Sequence, residues 1–170
     1  MNRPKKIDET NISDHYYLSE TDKCFYFFDY SIRKGATYSP GNQLILNLKK
    51  ELIKKNKPEW KYKEQAIDVS AKLIWEAFGK HLSNYFITAI PPSKSKDDPE
   101  YDDRILKVIE KIKFIAINER VELKVGEIFE TKVSRKPMHS SLVRWPPEEH
   151  AQNLRILNKN QILSSNGIII

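Results

Sequence analysis

The chain has a single cysteine, Cys24, among its 170 residues. One thiol makes no internal disulfide and no zinc cluster. It stands in the aromatic run "CFYFFDYSIR", where it reads as a packed side chain of a protein kept in the reducing cytoplasm. Long hydrophobic runs are lacking as well. No stretch approaches the ~20 apolar residues of a membrane-spanning helix, so no membrane partner is expected. The opening "MNRPKKIDETNISD" has no apolar block behind its basic residues and reads as a polar arm rather than a secretory signal. There is no GK[ST] phosphate loop, no dinucleotide fingerprint and no GxSxG elbow. His15, His81, His139 and His150 show no metal-ligand spacing.

What is present suits a folded domain. Hydrophobic residues make up 39% and charged residues 31%, and this length can bury a core without staples. Residues 1–20 read as a flexible polar arm and 21–170 as a single α/β domain. Lysine and arginine total 29 against 23 acids, a net charge of +6. The excess is focused: seven lysines lie between Lys49 and Lys63, with Glu51 and Glu59 as the only acids. Such a patch favours phosphate-bearing partners, nucleotide or nucleic acid. Its plain reading is a solvated helix face followed by a lysine-rich loop.

Periodicity divides the chain further. Residues 24–33 read as a strand ended by Gly35. Ser39 caps a helix that has Pro40 in its first turn and Ile45, Leu48 and Leu52 on one face. "KNKPEW" breaks it. A second helix is predicted from Lys63 to Leu82, with Ile67, Ala71, Ile74, Phe78 and Leu82 inward and Trp75 at the flank. Tyr85 to Ile90 is a nearly continuous apolar run, as in a strand buried on both faces. Pro91 and Pro92 stop it, a loop of Ser93, Lys94, Ser95 and Lys96 follows, and Asp98-Pro99 predicts the start of a third helix. Tyr101, Ile105, Val108 and Ile112 are its expected buried stripe. The carboxylates of "DDPEYDD" suit a helix start better than a metal site. Val121, Leu123 and Val125 predict another strand. From Thr131 to Pro147 periodicity disappears, the sign of a long functional loop. Glu148 to Leu154 suits a short helix, and "SSNGIII" a turn leading into a strand.

Strands alternating with helices predict an α/β domain with a mainly parallel sheet and flanking helices. Ligands of such sheets sit beyond the carboxyl ends of the strands, where the loop after Ile90 would lie. Hydroxyl and ammonium donors at Ser93, Lys94, Ser95 and Lys96 suit a phosphate or diphosphate. On spacing alone, this is also how a plain surface loop looks.

In order along the chain, "YSPGNQLILNLKK", "AIPPSKSKDDPEYDDRIL" and "ETKVSRKPMHSSLVRWPPEEHAQNLRI" resemble segments of type I phosphoribosyltransferase-like proteins, and among them the competence-associated bacterial branch. The resemblance spans roughly residues 24–170. It implies an incomplete phosphoribosyltransferase-like fold and transfer of a phosphoribosyl group from phosphoribosyl pyrophosphate, a glycosyltransferase reaction. Ser93, Lys94, Ser95 and Lys96 would contact the diphosphate. The segment 131–147, with Arg135, His139 and Arg144, would be the mobile loop over the substrate, followed by Asn153. Magnesium would arrive with the diphosphate. In the family a strand like "GIII" runs into an acidic pair and a Thr/Gly-rich turn that hold the ribose and 5′-phosphate. The chain stops before any such motif, so the expectation is a fragment that is inactive alone: a prematurely terminated reading frame, or one piece of a split protein completed by a C-terminal partner chain. Two other readings stand beside this one. The first is a basic nucleic-acid-binding module, with Trp60 and Tyr62 stacking on bases. The second is a non-catalytic protein that binds a nucleotide or a partner chain.

Overall fold

The structure is a computed structural model and describes residues 3–15, 17–19, 21–135, 146–157 and 167–169. Its first helix, α1 (Pro40–Leu48), begins as the sequence dictates. The Ser39 hydroxyl accepts the Asn42 N–H at 3.0 Å, and Pro40 occupies the first turn. Helix α2 (Lys61–Phe78) ends at Gly79, whose φ of 45° favours glycine. Residues Gly79–Asn84 continue as 3-10 turns, so the α-helix stops short of the predicted Leu82. Leu82 is buried all the same.

Helix α3 (Arg104–Asn118) starts later than Asp98-Pro99. The Asp98 carboxylate instead accepts the Glu100 N–H at 2.8 Å, and the Asp98 carbonyl accepts the Tyr101 N–H, which turns the chain before a helix can form. The buried stripe moves accordingly. Val108, Ile109, Ile112 and Ala116 face inward, while Ile105 is 40% exposed and Tyr101 precedes the helix. The α2 and α3 seam holds Ala71 and Ala116, both fully buried; small side chains there let the two backbones approach closely. Trp75 is inside as well, and its Nε1 donates to Glu119 at 2.8 Å.

The strands are short. β1 (Lys5–Lys6) pairs antiparallel with β2 (Phe25–Tyr26). This places part of the stretch read as an arm beside the core, with Ile7 buried. The predicted strand over 24–33 is reduced to those two residues of β2. The aromatic run serves packing: Phe25 and Phe27 meet Phe78 of α2 edge-to-face. Beyond them the backbone is held by Asn42, itself fully buried, which accepts the Ser31 N–H and donates to the Ser31 and Lys34 carbonyls.

β3 (Phe86–Ile87) is the centre of a three-stranded parallel sheet, between β4 (Lys124–Val125) and β7 (Ile168–Ile169). Phe86 lies opposite Lys124 on one side and Ile168 on the other. Ile87, Leu123, Val125 and Ile169 join the helices in one apolar cluster. Of these, Ile87 and Leu123 are buried, each contributing about 1.5–3 kcal/mol, and Val125 and Ile169 are partly buried. β5 (Phe129–Thr131) and β6 (Leu154–Ile156) form a separate antiparallel hairpin, with α4 (Pro147–Gln152) just before β6. The architecture is mixed α/β with a parallel sheet and flanking helices. Among the described residues no helix is long and apolar enough to cross a membrane.

Candidate functional site

The chain leaves β3, crosses through α3 to β4 on one side, and later returns as β7 on the other. Such a reversal of strand order opens a crevice at the carboxyl ends of the strands. A cleft of about 300 Å³ lies there. Leu48, Ala89 and Leu106 give it an apolar lining, and Lys49, Arg104 and Glu127 add charge. The displaced Tyr101 and Ile105 line it too, so the residues that left the expected helix stripe serve the cleft. Burial, with Glu127 second, pushes the Tyr101 hydroxyl above its ordinary pKa.

The loop expected to hold a diphosphate borders this cleft. Its groups already have partners. The Lys94 ammonium meets Glu100 at 2.7 Å and Asp98 at 3.4 Å, and the Lys96 ammonium meets Glu127 at 2.6 Å. Hydrogen bonding to Glu100 and to Glu127, respectively, raises the two lysine pKa values. Ser95 Oγ lies 2.9 Å from Ser134 Oγ, and the Ser95 N–H donates to the same hydroxyl at 3.0 Å. The Ser134 hydroxyl also bonds the Asp98 carboxylate and is the leading cause of its lowered pKa.

Two stretches picked out separately in the sequence are thereby joined. The Thr131 hydroxyl, buried, donates to the Pro92 carbonyl at 2.6 Å, and the Arg135 N–H donates to the Ser93 carbonyl at 2.8 Å. With Ser134 on Ser95, residues 131–135 lie along residues 92–95. The Asn153 side chain closes the far end: it donates to the Val133 carbonyl at 2.9 Å and accepts the Val133 N–H at 3.1 Å. The Arg135 guanidinium donates to the Glu149 carbonyl at 3.2 Å. Both ends of the segment between β5 and β6 are thus pinned beside the loop. His139 and Arg144 lie outside the described residues, as do Ser164, Ser165 and Asn166.

The lysine patch differs from its sequence reading at one position. Lys63 is 2% exposed. Its ammonium donates to Asp102 at 2.6 Å and to the Lys50 carbonyl at 2.8 Å, and lies 5.2 Å from the centroid of the Trp60 ring. Burial pushes its pKa down, and the bond to Asp102 offsets part of that. Asp102 lines the cleft, so an internal ion pair ties α2 to the cleft wall. The signal was present in the sequence: Lys63 stands four residues before Ile67 and eight before Ala71, on the apolar face of α2. A lysine in that series requires an internal carboxylate. The other aromatic faces proposed for base stacking are covered by the chain's own cations. Lys50 and Lys61 lie over Tyr62, at 5.6 and 5.2 Å from its centroid.

Among the described residues no three His, Cys, Asp or Glu side chains come together to hold a metal. The carboxylates nearest the cleft are already paired: Asp102 with Lys63 and Arg104, Asp103 with Lys107, Glu127 with Lys96. These residues make no cage for magnesium. Compared with protein-family models, curated proteins and solved structures, the chain matches none.

Proposed function

We propose that the loop 93–96 and the segment beginning at Thr131 belong to a phosphoribosyltransferase-like site that binds the diphosphate of phosphoribosyl pyrophosphate. The observation behind this reading is the seating of residues 131–135 on residues 92–95 at the carboxyl end of β3. In such a transfer the bond from the ribose anomeric carbon to the diphosphate breaks, and the acceptor bonds to that carbon. Negative charge then accumulates on the departing diphosphate. Lys94 and Lys96 are the cations placed to offset it. The Ser134 and Asn153 contacts would fix residues 131–135 beside them and help keep water from the cation-like ribosyl group. Magnesium belongs to this reading as a counter-ion carried in by the substrate. Lys49, at the cleft and within the basic patch, adds attraction for an anionic ligand.

The test is thermal unfolding with and without phosphoribosyl pyrophosphate, run beside sulfate at equal ionic strength. A ligand that binds only the folded chain stabilises it by about 2.7 kcal/mol at a hundredfold excess over Kd. The expected result is an upward shift specific to the sugar diphosphate that disappears in Lys94→Ala/Lys96→Ala. A shift equal to that from sulfate, or one retained in the double variant, refutes the reading.

A further inference from the structure

The two ammonium groups of the loop are held by carboxylates of the same chain. Glu100 lies 2.7 Å from Lys94, and Glu127 lies 2.6 Å from Lys96. Asp97 and Asp98 sit between the lysines and Glu100 in sequence, so the charge gathered around the loop is negative rather than positive. A phosphate approaching it meets carboxylates as well as cations.

We infer that Glu100 and Glu127 are competitors built into the site, occupying Lys94 and Lys96 until a diphosphate displaces them. This rests on the diphosphate reading above. The two glutamates are the pieces able to move. The Glu100 side chain is 74% exposed and the Glu127 side chain 36% exposed, so rotating either into water costs little. Asp98 stays, because the Ser134 hydroxyl and the Glu100 N–H hold its carboxylate. Binding is then an exchange of ion pairs, and the exchange selects by charge. A single phosphate offers too little to displace two carboxylates. A diphosphate carries enough negative charge to compete with both glutamates, while Asp98 keeps its contact with Lys94.

The experiment is isothermal titration of the chain with inorganic pyrophosphate and, in parallel, orthophosphate. Wild type, Glu100→Gln, Glu127→Gln, the double variant and Lys94→Ala are compared. Glu76→Gln, at an exposed site on α2, controls for the change in net charge. Pyrophosphate is expected to bind about 1.5- to 5-fold tighter for each glutamate neutralised, the span of exposed ion pairs, and more than in Glu76→Gln. The preference for pyrophosphate over orthophosphate should narrow in the double variant. Should Glu127→Gln fail to fold, Glu100→Gln decides alone. Affinities that merely follow Glu76→Gln, or that weaken, overturn the competitor role. If Lys94→Ala abolishes binding in that case, the diphosphate site itself still stands. Binding by no member of the series, the double variant included, overturns both.

Discussion

Removing the Asp102 carboxylate tests how the cleft wall is built. Lys63 is 2% exposed, and Asp102 is its one anionic partner among the contacts described above. In Asp102→Ala the ammonium keeps the Lys50 carbonyl and the face of Trp60. Stranding one member of a buried pair costs about 3–5 kcal/mol. Lys63→Met is the informative contrast. Methionine fills the lysine's apolar volume, and the carboxylate left behind still has the Arg104 guanidinium at 3.2 Å. The main loss is then the bond to the Lys50 carbonyl, about 1–3 kcal/mol. Asp102→Ala should therefore be the more damaging by about 2 kcal/mol. Urea unfolding followed by tryptophan fluorescence measures both, provided the slopes match. A pH series adds a sign. Burial sets the folded-state pKa of Lys63 below its ordinary 10.5. Between the two values the unfolded chain binds more protons, so this group's contribution to stability rises with pH through that window. Wild type should gain on Lys63→Met there. Equal damage from the two substitutions, or a gain of Lys63→Met on wild type over that window, refutes the account.

Asn42→Ala should cost about 3 kcal/mol or more, because it leaves the Ser31 N–H and the Ser31 and Lys34 carbonyls without their buried partner. Loss of hydrogen-exchange protection at Ser31 is the local readout, and an unchanged midpoint would count against it. Ser134→Ala should raise the Asp98 pKa toward 3.8, since the Ser134 hydroxyl is the first cause of its depression. A carboxyl with a lowered folded-state pKa stabilises above its ordinary value and loses that effect as pH falls through the folded one. In the variant the loss should be smaller and complete at a higher pH. A carbon NMR titration of Asp98 reads this directly, and an unmoved pKa would show that Ser134 does not hold the loop.

Local chemistry was legible wherever a few neighbouring residues decide the outcome. Ser39 and Pro40 fix the start of α1 without help from the rest of the chain. The apolar run after Tyr85 marks the central parallel strand, because burial on both faces removes the alternation that an exposed face would impose. Where partners lie far away in sequence, local signals mislead. Asp98-Pro99 has good capping chemistry, yet its carboxylate is taken by Ser134, 36 positions on. The aromatics at 24–33 suit a strand, but their partner is Phe78. Lys96 reads as a free donor only because Glu127, the carboxylate that holds it, is brought in by folding from beyond α3, whereas the partners of Lys94, Asp98 and Glu100, stood a few residues away in plain sight.

Asp102 shows how these long-range contacts build the cleft. It accepts from Lys63 on α2, accepts the Arg104 N–H at the start of α3, and lines the cleft. Anything that moves Asp102 toward a ligand weakens an internal ion pair, and anything that fixes it stiffens the cleft wall. The loop 93–96, which follows the cleft residues Pro91 and Pro92, has the opposite construction, with Lys94 and Lys96 paired to glutamates that are exposed enough to separate at small cost. The cleft wall at Asp102 is therefore costly to deform and the loop beyond Pro92 cheap. In the proposed diphosphate site, motion on binding belongs to the cheap side. Ligand-induced change in hydrogen exchange should accordingly fall on residues 93–98 and 131–135, while the amides around Lys63 and Asp102 stay protected. Protection lost around Asp102 on pyrophosphate binding would mean that the ion pair is part of the moving machinery and not its fixed support.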